Sequence, residues 1–341
     1  MSALACILGC QGLRLTAEET VLFREARPWG FILFKRNVET PPQVRALVEQ
    51  LRACVDRPDA PVLVDQEGGR VQRLGPPHWR RYPPGRAYAE AAGADPLRQR
   101  ELVRLGARLL AHDLLALGIN VDCLPVLDVP QVGAHDVIGD RAYGDSVSTV
   151  AQLGRAAAEG LIAGGVLPVI KHMPGHGRAG ADSHLHLPVV TASYADLEAQ
   201  DFAPFKVLSD MPMAMTAHVV YVAIDPRHPA TTSRKVMTQV VRGAIGFDGL
   251  VMSDDLSMKA LAGDFTQRTQ AALAAGCDVV LHCNGDMAEM TAVVSGARPL
   301  AGKAKARAAA ALARLPLEVE PFDIEAARAC FDSAFTGRWA A

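Results

Sequence analysis

Eight short runs of apolar and β-branched residues recur along the chain, each separated from the next by a segment of helical character. This alternation limits the possible folds more than any other feature. The runs are ACILGC (5–10), FILFK (31–35), PVLVDQ (61–66), VDCLPVLDV (121–129), LPVIKH (167–172), AMTAHVVY (214–221), GLVMSDD (249–255) and DVVLHCN (278–284). Runs of this length and composition read as buried strands. The intervening segments carry helix start signals. TAEE at Thr16 and TPPQ at Thr40 fit the capping box, in which a hydroxyl and a carboxylate or amide satisfy free N–H groups reciprocally. Pro41 falls at a first helical position, where its missing N–H costs nothing. Residues 95–118 and 149–163 read as two further helices. Eight strands alternating with helices predict a (β/α)8 TIM barrel. A doubly wound open sheet alternates in the same way, so the strand count is the main discriminator. The phosphate-binding GxGxxG of a dinucleotide fold is absent after the first strand. No Pro/Gly/Ser-rich linker divides the chain, and the Ala/Arg-rich tail from about residue 298 is helical in pattern. The expectation is a single domain over 1–341.

Composition narrows the function classes. A formal net charge of −2 gives no electrostatic case for nucleic acid or an anionic membrane surface. No apolar run approaches the roughly 18 residues of a membrane span. The opening MSALACILGC lacks a basic leader and reads as a strand rather than a signal peptide. Seven scattered cysteines without a CxxC suit reduced, buried thiols in a cytoplasmic protein, expected to be a monomer.

In such a barrel, chemistry sits at the C-terminal ends of the strands. Those ends carry Asp65, Glu67, Arg70 and Arg73 after the third run, and Asp128 after the fourth with Arg141 in the following loop. Lys171 and His172 end the fifth, His218 the sixth, Asp254 and Asp255 the seventh, and His282 and Asn284 the eighth. One polar strand end can be a cap; so many on one rim imply a site. The segment KHMPGHGRAGADSHLHLP (171–188) holds four of the ten histidines. Pro174, Gly175, Gly177 and Gly180 exclude a helix over 173–181 and suggest a loop able to swing. Asp182 and His184, two apart, share a face in extended backbone. A carboxylate there fixes the imidazole tautomer and suits His184 to general acid and base work.

Zinc is the competing use for such a histidine cluster. His172, His176, His184 and His186 do not form a helical HxxxH, and no HxH ends the first strand, so neither a metal nor another cofactor is expected. Asp254, where an apolar strand stops, is placed to attack an anomeric carbon, whereas Asp255 suits a helix N-cap. Asp65, Arg73 and Arg141 suit recognition of vicinal hydroxyls or an acyl group.

KHMPGHGRAGADSHLHLP, with VDQEGGRVQR (64–73) and SDDLSM (253–258), resembles the bacterial β-N-acetylglucosaminidases of glycoside hydrolase family 3, the cytosolic enzymes of peptidoglycan recycling. The resemblance spans nearly the whole chain. It implies a (β/α)8 barrel and a retaining mechanism with Asp254 as nucleophile, His184 as general acid/base and Asp182 orienting it. It implies contacts from Asp65, Arg73, Arg141, Lys171 and His172 to the hydroxyls of a terminal N-acetylglucosamine. The implied substrate is a muropeptide bearing N-acetylglucosamine on 1,6-anhydro-N-acetylmuramic acid, with or without peptide. A histidine acid on a mobile loop would stand in for the second carboxylate that most retaining glycosidases place about 5–5.5 Å from the nucleophile. Met173 replaces the aromatic residue of many relatives, at a position that supports the loop. Glu67, Asp128 and His218 receive no role from the sequence. Three alternatives stay open: a phosphorylase on the same substrate class, a metal-dependent barrel hydrolase, and a non-catalytic sugar-binding relative.

Overall fold

The computed structural model describes residues 2–131, 133, 135–180 and 187–335. Its centre is a closed barrel of eight parallel strands: β1 (Leu4–Leu8), β2 (Pro28–Leu33), β3 (Val62–Val64), β4 (Val121–Asp122), β5 (Leu167–Met173), β6 (Met213–Thr216), β7 (Leu250–Asp255) and β8 (Val279–His282). Each pairs with its sequence neighbours, and β1 closes the ring against β8 through Cys6–Val280 and Leu8–His282. β2 and β8 are buried throughout, because helices cover the outside of the ring while side chains fill its centre.

The helices start largely as their sequences dictate. Thr16 caps α1 (Ala17–Ala26) with the full reciprocal box to Glu19. The Thr40 box does not form. α2 (Pro41–Val55) starts at Pro41 as expected, but the Gln43 amide is occupied elsewhere. Its oxygen accepts from Glu39 N–H at 2.9 Å, one residue before the cap, and its nitrogen donates to the Leu13 and Asn37 carbonyls. A short helix, α3 (Gly85–Ala92), precedes α4 (Pro96–Leu115), which Asp95 caps. Ser146 caps α5 (Val147–Ala163), two residues ahead of the start read from the sequence.

Two expected strands are shorter than their apolar runs. After Asp122, Pro125 has no N–H to donate, so regular pairing stops. Contact with β5 resumes irregularly, through Lys171 N–H to Pro125 O at 3.1 Å and Leu127 N–H to Lys171 O at 2.7 Å. The run 214–221 divides: β6 ends at Thr216, and Val220–Tyr221 pairs instead with Val189–Val190 in a separate two-stranded sheet above the barrel. The tail packs back on the barrel. Leu300 N–H donates to Ala3 O at 2.8 Å, and Phe331 on the last described helix (Ile324–Ala334) meets Tyr82 edge-on at 6.0 Å. Six of the seven cysteines are buried, Cys330 is exposed, and all seven are free thiols.

Candidate active site

A cavity of about 290 Å³ opens among the C-terminal strand ends, lined by charged residues on one wall and by Ile32, Phe34, Met215, Met258 and Leu281 among others. This is close to the lower limit of about 300 Å³ for small-molecule sites.

The charged wall is built from β3, β5 and the chain that follows β3. Asp65 directly follows β3; Glu67 and Arg73 come from a small antiparallel hairpin (Gln66–Gly68 with Val71–Gln72) laid over the rim. Gln66 fastens that hairpin: its side-chain oxygen accepts from the Arg73 and Leu74 amides at 2.9 and 3.0 Å. Lys171, at the end of β5, lies between the two acids, 2.9 Å from Asp65 Oδ1 and 2.6 Å from Glu67 Oε1. Arg73 donates to Asp65 Oδ2 at 3.0 Å, and Arg141 grips Glu67 with two bonds of 2.8 Å. Three cations and two carboxylates thus share one buried network. Burial alone would raise the Asp65 carboxyl, but the Lys171 and Arg73 charges hold it well below the usual carboxylate range. Glu67 is likewise opposed by burial, yet Arg141 and Lys171 lower it to about 2. Both are therefore anionic acceptors at neutral pH, unable to donate a proton. Such networks add little net stability. This one aims Asp65 and Arg73 at the cavity.

The fourth strand end solves a different problem. Asp128 is fully buried, and its carboxylate accepts from the His172 amide at 3.1 Å, the His176 amide at 2.7 Å and His172 Nδ1 at 2.7 Å. Burial pushes its carboxyl up, and the neighbouring His172 outweighs this, leaving it lowered. An ionised Asp128 requires a proton on His172 Nδ1, and this bond fixes the orientation of the ring. Lys171 and His172, joined by a cis peptide, both line the cavity.

His176 lies with its ring 5.7 Å from that of His172, edge-on, and also lines the cavity. Burial, and then the His172 charge, lower it to about 4. Between pH 6.5 and 4 the unfolded chain therefore binds a proton here that the folded chain refuses, and stability falls with pH across this window. His176→Gln cannot take up that proton. Its stability relative to wild type is expected to rise by about 3 kcal/mol as pH drops from 7 to 4, measured by denaturant unfolding at both pH values. An unchanged difference would contradict a neutral His176.

Asp254 lies on β7 facing the charged wall, and its Oδ1 accepts from the Asp255 amide at 2.8 Å. Asp255 is not a helix N-cap. It is still in β7, and its carboxylate accepts from the Ser257 and Cys283 amides, so it ties β7 to β8; the next helix (Phe265–Ala275) is capped by Asp264. His218 is fully buried, with Nδ1 2.7 Å from Thr231 Oγ1 and Nε2 2.9 Å from the Asp255 carbonyl. Burial lowers it, which suits a neutral bridge between β6 and β7.

The chain leaves β5 without forming a helix, as expected, but its glycines do not make a hinge through Ala179. A Cβ on Gly177 would lie 1.9 Å from the Val129 carbonyl oxygen, and Gly175 adopts φ +135° against Asp201. These two glycines allow close packing rather than motion. Of Gly175, Gly177 and Gly180, only the last has no described atom within 4 Å of an added Cβ. Asp182, His184 and His186 lie outside the described residues. Among the described residues no three His, Cys, Asp or Glu side chains gather as a metal-ligand set.

The charged wall and the Asp254 carboxylate thus meet in one cavity at the barrel end. Residues 12–315 match the glycosyl hydrolase family 3 N-terminal domain. The chain belongs to glycoside hydrolase family 3. A β-hexosaminidase of Alkalilimnicola ehrlichii is 43% identical over 282 residues, covering 82% of this chain and 80% of that protein. Among solved structures, native NagZ from Neisseria gonorrhoeae superposes with a TM-score of 0.84 at 33% identity, covering 98% of this chain and 96% of that one. The gonococcal protein has also been solved in complex with N-trifluoroacetyl-D-glucosamine. A family 3 β-N-acetylglucosaminidase from Paenibacillus sp. matches with a TM-score of 0.84 at 29% identity over 97% of this chain, which spans 66% of that longer protein.

Within this family 3 glycosidase, the described site residues anticipated from the sequence converge. Asp65, Arg73, Arg141, Lys171, His172 and Asp254 all line the one cavity. Glu67, Asp128 and His176 were visible only as polar residues in the right segments. Their partners come from elements 44 to 104 positions away, and no local spacing signals that.

Proposed function

We propose that the chain, acting as one catalytic unit and as a monomer, is a retaining exo-β-N-acetylglucosaminidase. In this reading it removes non-reducing terminal N-acetylglucosamine from muropeptides in the cytoplasm during peptidoglycan recycling. The observation that carries it is the opposition, across one sugar-sized cavity, of the Asp65–Lys171–Glu67 network and Asp254. The similarity to β-hexosaminidases and to NagZ supports the sugar. The muropeptide aglycone follows from the family resemblance.

The chemistry follows from which groups are already committed. Asp65, Arg73, Arg141, Lys171 and His172 bind the hydroxyls and acetamido group of the terminal sugar through charged hydrogen bonds. Asp254 attacks the anomeric carbon, forming an ester to the sugar while the bond to the leaving oxygen breaks. That oxygen needs a proton. Asp65 and Glu67 are held ionised, and His176 is held neutral, so none of these supplies it at neutral pH. Asp128 is saturated by three donors. His184, oriented by Asp182, is the donor in this reading. Once neutral, it takes a proton from water, which attacks the same carbon from the leaving-group side and releases the sugar with its β configuration retained.

The test is release of 4-nitrophenol from its β-N-acetylglucosaminide in phosphate-free buffer, with and without EDTA. Rapid release unaffected by EDTA is expected. Release abolished by EDTA would replace this reading with a metal-dependent hydrolase. Release that requires added phosphate would make the enzyme a phosphorylase, and no release under either condition would leave a sugar-binding protein.

A further inference from the structure

Arg70 belongs to the same segment as Asp65, Glu67 and Arg73 but is not among the residues that line the cavity. It leaves the turn of the small hairpin, where Gly69 N–H donates to Tyr82 O at 2.8 Å. A Cβ on Gly68, at φ +96°, would lie 2.2 Å from the Pro83 carbonyl oxygen, so the turn is pressed against that backbone. From this fixed base the guanidinium reaches the chain that precedes Arg141. Its Nη2 lies 2.6, 2.9 and 3.2 Å from the carbonyl oxygens of Asp136, Val137 and Ile138. The Asp136 and Asp140 carboxylates flank it, each at 3.6 Å. Gly139 makes room for this contact: a Cβ there would lie 2.3 Å from Asp136 Oδ1 and 3.2 Å from Arg70 Nη2.

Arg141 uses two of the same carbonyls. Its amide donates to Ile138 O at 2.9 Å, beside the 3₁₀ turn Gly139–Arg141, and its Nη1 donates to Val137 O at 3.1 Å. Hairpin and loop are therefore joined twice, by Arg141 to Glu67 within the charged wall and by Arg70 outside it. The outer joint is a poor source of stability, because Arg70 is 44% exposed and both aspartates more so. Its effect is geometric. The carbonyls that seat the Arg141 guanidinium are themselves held by a second cation, anchored in the hairpin that carries Glu67. We infer that Arg70 is a positioning residue for sugar binding, which holds the 136–138 backbone so that the Arg141 fork meets both Glu67 and the sugar. This deepens the reading of Arg141 as a sugar contact and rests on it.

The test is a double-mutant cycle on binding, because a residue that acts through another has little effect once the other is gone. The substrate is 4-nitrophenyl β-N-acetylglucosaminide, and the inhibitor is free N-acetylglucosamine. Arg70→Ala is expected to raise KM and Ki together by roughly tenfold, with kcat within about threefold of wild type. Its Tm should fall by less than about 4 °C. Arg141→Ala is expected to raise KM and Ki by about a hundredfold. The double variant should lie within about threefold of Arg141→Ala, whereas independent effects would multiply to roughly a thousandfold. If Arg141→Ala does not fold, Arg141→Lys takes its place in the cycle, since it keeps a cation beside Glu67 without the fork. Multiplying losses would overturn the inference. So would an Arg70→Ala variant with unchanged KM and Ki, or one that loses kcat and Tm alone. If the Arg141 variant weakens binding and Arg70→Ala does not, only the positioning role fails. If the Arg141 variant itself binds as wild type, the sugar-contact reading fails and the inference with it.

Discussion

Asp254→Ala is expected to lower kcat by on the order of 10⁴-fold or more while leaving the protein folded. The size of the effect comes from the role: without the carboxylate no covalent intermediate forms, and the remaining site only binds and polarises the sugar. Folding should survive because β7 is held by its ladder to β6, through Leu250–Met213, Val251–Ala214 and Met252–Met215, and by Asp255 to β8. The Asp254 carboxylate accepts from the neighbouring Asp255 amide, a bond within β7 itself. The variant also offers a positive signature. Azide can enter the space the side chain leaves and attack from the same face, so with an activated substrate the product should be the α-glycosyl azide. Far-UV circular dichroism, turnover and product configuration check the three parts. Near-normal turnover by a folded variant would remove Asp254 from the chemistry.

Lys171→Met is expected to damage both stability and binding. Methionine is close to lysine in length but carries no charge, so Asp65 and Glu67 would face each other across the space that Lys171 Nζ now bridges. Removing one partner from a buried charged set typically costs about 3–5 kcal/mol. The lower end is expected here, because Arg73 still holds Asp65 and Arg141 still holds Glu67. The loss should be pH-dependent. The Lys171 charge is a principal reason Asp65 lies so far below the ordinary carboxylate range, so the variant's Asp65 titrates at a higher pH, its fold loses less stability on acidification than wild type, and its deficit is largest near neutral pH and shrinks as pH falls. Urea unfolding at two pH values gives the stability, and kcat/KM gives the accompanying loss of sugar binding. A variant as stable as wild type would mean that the network is far better solvated than its 2–24% exposed side chains imply.

Much of the fold is legible in the sequence because a barrel strand is buried on both faces and so reads as a short apolar run. All eight strands fall within or beside such runs. What the runs do not reveal is where pairing stops. Residues 217–221 are as apolar as β6, yet Val220 and Tyr221 pair with residues 189–190, a choice made by the chain that crosses above the barrel. Capping was legible at Thr16, where the box closes within four residues, and failed at Thr40, where Gln43 finds carbonyls on a neighbouring loop.

The site divides in the same way. Polar residues at strand ends announce themselves against an apolar background, which is why Asp65, Lys171, His172 and Asp254 stood out. Their supporting partners did not. Asp128 holds two histidine backbones and one imidazole, and Glu67 joins Arg141 to Lys171, through contacts that only the closed ring creates. Gly175 and Gly177 read as hinge residues in sequence, whereas in the fold they are positions with no room for a Cβ.

The central claim is that a covalent bond forms between Asp254 and the sugar. A 5-fluorinated N-acetylglucosaminyl fluoride tests it directly: the ring fluorine slows formation and breakdown of the intermediate, while the fluoride leaving group restores the first step. Intact-mass analysis should show one added sugar per chain. Fragmentation of the tryptic peptide spanning residues 243–259 should place that sugar on Asp254 rather than on Asp248 or Asp255. A label on any other residue, or turnover of the reagent with no covalent adduct at all, would contradict the account.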